Sequence, residues 1–264
     1  MGTKMSNAPV YYALAQVRFN VIAMLDQYVP KIQDTLRRAG YPDFQRLFVA
    51  TINVNPGAGE NQIPAFQQLA RYQFLDEKKT SGFILDQSSL SFQTTDYDTF
   101  EPFSKAFFHG LDILHGVLEL SYSERVGIRF LDAVQPRENE KISLYLAPTV
   151  LGLFEQLGED SLVQAISETR TQKGKIVLVS RSIIQRQATR GIAFPQELLP
   201  IPVEITPKFK ETTGLYGIID TDSWTEDRAK FDPGALANTL KLLHDEINRS
   251  FSHMVTPYAL DVWK

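Results

Sequence analysis

The chain contains no cysteine. That one absence excludes disulfides, zinc–thiolate sites, iron–sulfur clusters and thiol nucleophiles together. Histidine is also scarce, with four in 264 residues. His109 and His115 are placed on one helix, about 120° from coincidence at roughly 100° per residue. His244 and His253 fall on opposite faces of another helix by the same arithmetic. Neither pair chelates one ion. His115 lies at helical spacing from Asp112 and Glu119. Zinc sites, however, need three or four converging ligands, and a solvated helix face accounts for the same residues. The expectation is no metal and no cofactor.

Long apolar runs are missing too. None approaches the roughly 18 residues of a membrane span, and the stretch before Val10 is short and polar, unlike a secretion signal. A cytoplasmic protein that does not contact membranes is expected. Phosphate-binding glycine loops are absent: Gly57-Ala58-Gly59 is not followed by the Gly-Lys-Ser/Thr of a P-loop. No Gly-x-Ser-x-Gly elbow presents a serine nucleophile. Most cofactor-dependent enzymes are thereby removed, and the enzyme question leans toward no.

What is present is ordinary globular composition, 43% hydrophobic and 22% charged, enough to bury a core. The net charge of −4 argues against a sequence-independent coat on DNA, which needs a positive field. It leaves room for a local basic patch.

Hydrophobic periodicity organises the chain. Tyr11 to Phe19 alternates as a strand, with Ala13, Ala15, Val17 and Phe19 on one face and Tyr12, Leu14, Gln16 and Arg18 on the other. A helix broken or begun at Pro30 stops at Gly40. Leu47 to Val54 reads as a strand, and Asn55 to Asn61 as a loop. Three short strands follow between Arg71 and Thr94. A helix from about Thr99 to Glu119 has Asp98 as its cap, Glu101 in a capping box and Pro102 in its first turn. Arg125 to Val134 is a strand. Gln135 to Glu140 is a polar, proline-opened linker. Beyond it come a short helix at Pro148–Leu157, strands at Lys175–Gln187 and Gly214–Glu226, and a helix opened by Asp232-Pro233. Hairpins followed by helices give an α+β class with mainly antiparallel sheets and two long amphipathic helices. The halves 1–135 and 136–264 are similar in style and can pack as one domain.

Three groups of residues carry candidate chemistry. Arg18 and Arg129 each interrupt an apolar strand, out of phase with its hydrophobic face; an arginine there is paired, solvated or facing an anion- or partner-binding groove. Asp220 and Asp222 share one strand face, as paired carboxylates of metal-dependent nucleases do, although a strand end running into a loop explains them as well. Lys173, Lys175 and Arg181 mark a basic stretch that can present a stripe to nucleic acid, without the interleaved rings that stack single strands.

The run Pro9 to Phe19, Gly40-Tyr41-Pro42, Arg125-Val126-Gly127-Ile128-Arg129-Phe130, Leu243-His244 through Phe251, Val255-Thr256-Pro257 and Trp263 together resemble a sporadically distributed, uncharacterised prokaryotic protein family. The resemblance spans nearly the whole chain and implies no established reaction or cofactor. Patchy occurrence is typical of genes carried in small modules, including toxin–antitoxin and antiphage systems. Its implication is a non-enzymatic binding or regulatory protein that recognises a protein partner, such as a neighbouring gene product, with Arg18, Arg129 and His244 as site residues. A metal-dependent nuclease or phosphoesterase and a nucleic-acid-binding protein are the alternatives.

Overall fold

The computed structural model describes residues 5–53, 65–158, 162–187, 189–199 and 201–264. The loop expected at Asn55–Asn61 lies outside them. In chain order the elements are β1 (Val10–Phe19), α1 (Leu25–Arg38), β2 (Asp43–Asn53), β3 (Ala65–Leu75), β4 (Ser81–Asp86), β5 (Ser89–Thr94), α2 (Phe100–Leu118) and β6 (Tyr122–Val134). Two short helices follow, α3 (Pro148–Leu151) and α4 (Phe154–Leu157), then β7 (Gln164–Lys173) and β8 (Ile176–Gln187). The chain ends with α5 (Pro207–Lys210), β9 (Gly214–Lys230), α6 (Pro233–Met254) and α7 (Pro257–Trp263).

The strands form one nine-stranded sheet in the order β2-β3-β4-β5-β1-β6-β9-β8-β7, antiparallel at every pairing. β1 lies at its centre because its alternating side chains suit a strand with both neighbours filled. Ala13, Ala15, Val17 and Phe19 are fully buried under α1, α2 and α6, in a core shared with Phe107, Leu111, Leu240 and Leu243.

Three long helices cover this face rather than two. α1 runs through Pro30 for 14 residues, so the proline neither breaks nor begins it; Leu25, Val29, Ile32 and Leu36 keep one buried stripe across it. At its end Gly40 takes φ of 100°, the left-handed conformation that stops a helix at low cost. Thr99 holds the N-cap position of α2 and makes no side-chain cap bond, so Asp98 is not its cap. Asp232 does cap α6, its Oδ1 accepting from the N–H groups of Gly234 at 2.9 Å and Ala235 at 3.1 Å.

The two sequence halves differ in their elements: among the described residues, six strands and two long helices precede Gln135, and three strands and one long helix follow it. The sheet crosses the boundary without a break, since β6 pairs with both β1 and β9.

Gly110 sets how closely α2 lies on the sheet. A Cβ built there would fall 2.2 Å from Cε1 of Phe83. Gly110→Ala is therefore expected to destabilise by about 1–3 kcal/mol through overpacking, against the ~1 kcal/mol that alanine gains in a helix. Gly116, in the same helix, has nothing within 4 Å of such a Cβ, so Gly116→Ala is expected to stabilise. Urea midpoints of the two variants, moving in opposite directions, check the packing argument.

Among the described residues, the second sheet face is covered over only part of its width. The segment between β8 and β9 lays Ile192, Val203 and Phe209 over Tyr12, Leu131, Ile183 and Ile218. A third cluster, around Tyr145, Ile219 and Trp263, closes one end with α3, α4 and α7.

Candidate functional site

The register of β6, β9, β8 and β7 brings charges from distant parts of the chain onto that second face. Arg129 stands opposite Asp222, and Asp220 stands between Leu131 and Arg181. Arg181 in turn stands opposite Glu168. Arg129 is 7% exposed, and its guanidinium grips Asp220 with two parallel bonds, Nε to Oδ1 and Nη2 to Oδ2, both 2.7 Å. This fork geometry is what arginine offers and lysine does not. Arg181 adds Nη1 to Asp220 Oδ2 at 2.9 Å and Nε to Glu168 Oε2 at 2.6 Å.

Glu197 closes the network from a single 3₁₀ turn in the covering segment. Its Oε1 accepts from Arg129 at 2.8 Å and from Arg181 at 3.2 Å. Burial raises the Glu197 carboxyl, but the bonds and charge of Arg129, with those of Arg181, outweigh it and bring the group down to about 2. Burial opposes the charge on Arg129 as well; the bonds and charge of Asp220 and Glu197 still hold it above its ordinary value. Five charged side chains thus tie the covering segment to the sheet.

Asp220 is consequently committed to two arginines. Asp222 shares its face, as the alternation implies, yet makes no hydrogen bond or ion pair among the described residues. No group of three or more His, Asp or Glu residues able to hold a metal occurs among the described residues.

The basic stripe is interrupted by a turn. β7 ends at Lys173, Gly174 takes φ of 60°, and β8 starts at Ile176. A glycine of that conformation opens a tight two-residue hairpin. Lys173 therefore pairs with Ile176 and reaches toward Glu246 on α6, at 3.9 Å, on the helix-covered face. Lys175 pairs with Asp227 at 2.6 Å, and Arg181 is held in the network on the opposite face. The three do not line one surface.

His244 is likewise on the helix-covered face. Its ring stacks on Phe100 at 4.0 Å and meets Phe130 edge-on at 5.9 Å. Since Phe130 and Arg129 are consecutive on β6, their side chains point to opposite faces. His244 and Arg129 cannot touch one ligand together. Burial lowers the imidazole to about 4.

Arg18 and Arg125 stand directly opposite one another across β1 and β6, on the uncovered part of the second face. Like charges in that position repel. Arg18 is exposed and its side chain has no partner among the described residues. Burial, and then the charge of Arg18, hold Arg125 below its ordinary value against the pull of Asp222 and Glu226. Its nearest carboxylate is Glu226 at 4.0 Å, itself mostly exposed. Gln16 orients Arg125: its Oε1 accepts from Nη1 at 3.0 Å while its Nε2 donates to Ser91 Oγ at 2.9 Å. Beside them the Trp224 ring has the guanidinium of Arg125 at 5.3 Å and that of Arg170 at 5.4 Å.

Gly127 lies between Gln16 and Trp224 in the register. Its missing side chain leaves a cavity of about 150 Å³ bordered by Gln16, Arg125, Arg129 and Asp222. A larger cavity of about 280 Å³ lies where α1 and α2 meet the sheet, beside Tyr41, Asp76 and Tyr97. Asp76 there is occupied by the turn after β3, accepting from the N–H groups of Thr80 and Ser81. The smaller cavity is the one flanked by charged groups without full partners.

Arg125, Gly127, Trp224, Arg170, Glu168 and Glu197 were not singled out by sequence. One signal was available: Arg125-Gly127-Arg129 places two arginines on one strand face with a gap between them. The chain has no match among protein-family models, curated proteins or solved structures, so the site rests on its geometry.

Proposed function

We propose that this chain is a binding protein whose uncovered sheet face receives an acidic segment of a protein partner. The observation that carries the reading is the cross-strand pair Arg18 and Arg125, which has no carboxylate bridging its members among the described residues; the nearest, Glu226, stands 4.0 Å from Arg125 alone. An arriving anion relieves the repulsion and supplies the missing counter-charge. Arg170, exposed at the far side of Trp224, extends the positive strip.

A nuclease mechanism draws no support from Asp220, whose oxygens are spent on arginine. A single-stranded nucleic acid would need successive stacking rings, and the ring between the guanidiniums of Arg125 and Arg170 in this strip is Trp224. A protein segment needs no more than one such ring beside its carboxylates.

Co-expression with the products of adjacent genes tests the reading. A partner is expected to co-purify with the wild-type chain and to lose about tenfold or more in affinity for Arg18→Glu. The affinity should also fall as salt rises, since these charges are exposed to screening. A chain that remains alone with every neighbour, or a complex indifferent to Arg18→Glu, overturns it. Salt-sensitive binding of single-stranded DNA in its place transfers the site to nucleic acid.

A further inference from the structure

Resting on that reading, we infer that the cavity above Gly127 receives a carboxamide side chain, asparagine or glutamine, from the partner's acidic segment. The cavity has two walls of opposite hydrogen-bonding character. Arg125 is a donor without acceptor capacity. Asp222 offers carboxyl oxygens that make no hydrogen bond among the described residues. The two do not form an ion pair with each other, and Gly127 lines the cavity between them, the Arg125 guanidinium lying 3.4 Å from where a Cβ on Gly127 would stand. Gln16 does not serve a ligand, because both ends of its amide are engaged in holding Arg125 against Ser91.

A carboxamide answers both walls at once. Its oxygen accepts from Arg125 and its NH₂ group donates to Asp222. A carboxylate satisfies Arg125 but sets like charge against Asp222. An ammonium does the reverse, and an aliphatic group leaves both walls unpaired. Size agrees with a side chain: small-molecule sites span about 300–1,000 Å³, whereas this one is about 150 Å³. Arg18 and Arg170, on either side, then read the acidic residues that flank the amide.

Blocked nonapeptides of alternating aspartate and glycine, differing only at the central residue, provide the test. Glutamine, asparagine, glutamate and leucine versions are titrated by calorimetry against the full chain. The glutamine or asparagine peptide is expected to bind about tenfold or more tightly than the other two, the scale set by leaving buried polar groups unpaired. Gly127→Leu, which fills the cavity, should erase that preference while retaining weaker, salt-sensitive binding. Gly127→Ala, whose Cβ meets nothing closer than 3.4 Å, should keep it in part and guards against a leucine variant that fails to fold. Equal binding of all four peptides to the wild-type chain overturns the carboxamide inference and leaves the acidic-partner reading standing. Failure of every peptide to bind more tightly to wild type than to Arg18→Glu overturns that reading instead.

Discussion

Asp220→Ala is expected to remove about 3–5 kcal/mol of folding stability, the range for breaking a buried ion pair by deleting one partner. Asp220 is 2% exposed and accepts three bonds from Arg129 and Arg181. Without it the Arg129 guanidinium stays buried with Glu197 as its remaining partner, and Glu197 is about half exposed. The cost is that of an uncompensated charge rather than the net worth of the pair. Arg129→Met combined with Asp220→Leu removes both charges and is therefore expected to recover most of the loss. Equilibrium urea unfolding of the single and double variants measures the difference. The single variant should also become sensitive to proteolysis between β8 and β9, because the covering segment then loses part of the network that holds Glu197. An Asp220→Ala protein within 1 kcal/mol of wild type would falsify this account of the network.

The consequence for recognition follows from geometry. The network divides the second sheet face into a covered part, packed under Ile192, Val203 and Phe209, and an uncovered part that carries Arg18, Arg125 and Trp224. Arg129 stands at the division, with its guanidinium facing Asp220 on one side and the cavity beside Gly127 on the other. Its charge is spent on the fold. Arg125, four residues earlier on the same strand face, has only the mostly exposed Glu226, at 4.0 Å, as an ion-pair partner among the described residues.

That distinction could not be read from the chain alone. Alternation identified β1 and β6 because each has one face under helices, so apolar residues recur at every second position. The Asp232-Pro233 start of α6 was legible because capping is a local matter. β7 was missed for the converse reason: it is an edge strand, mostly exposed on both faces, and no buried face imposes a pattern. The pairing of Arg129 with Asp220 joins residues 91 positions apart and depends on the register of β6 against β9. Local pattern does not encode that register. Phase along a strand assigned Arg18 and Arg129 correctly to the side opposite the apolar face, but it carried no information on where α6 would place His244. Lys173 was grouped with Arg181 by counting parity through Gly174, and the turn there resets the count. Arg18 and Arg125 became a pair only once β1 lay beside β6.

Asp132→Asn is expected to stabilise the protein by several kcal/mol above pH 8 and to change little near pH 4. Asp132 is 4% exposed, and burial, followed by the charge of Asp220, pushes its carboxyl up to about 8. An unfolded aspartate titrates near 3.9. Between those values the folded chain keeps the proton and the unfolded chain has released it. Unfolding then releases a proton, so stability falls as pH rises, by up to ~1.4 kcal/mol per pH unit. The contribution is fully present below about pH 4 and gone above about 8. His244 slopes the other way. Burial holds it near 4 against about 6.5 unfolded, so its contribution to stability rises with pH across that interval and is flat above it. Glu197, brought down to about 2, changes stability only at the acid end. The interval from about pH 6.5 to 8 therefore isolates Asp132 from both. Urea unfolding across that interval should give a falling stability for the wild-type chain and a nearly level one for Asp132→Asn. Parallel curves for the two proteins would mean that Asp132 is already ionised in the folded state.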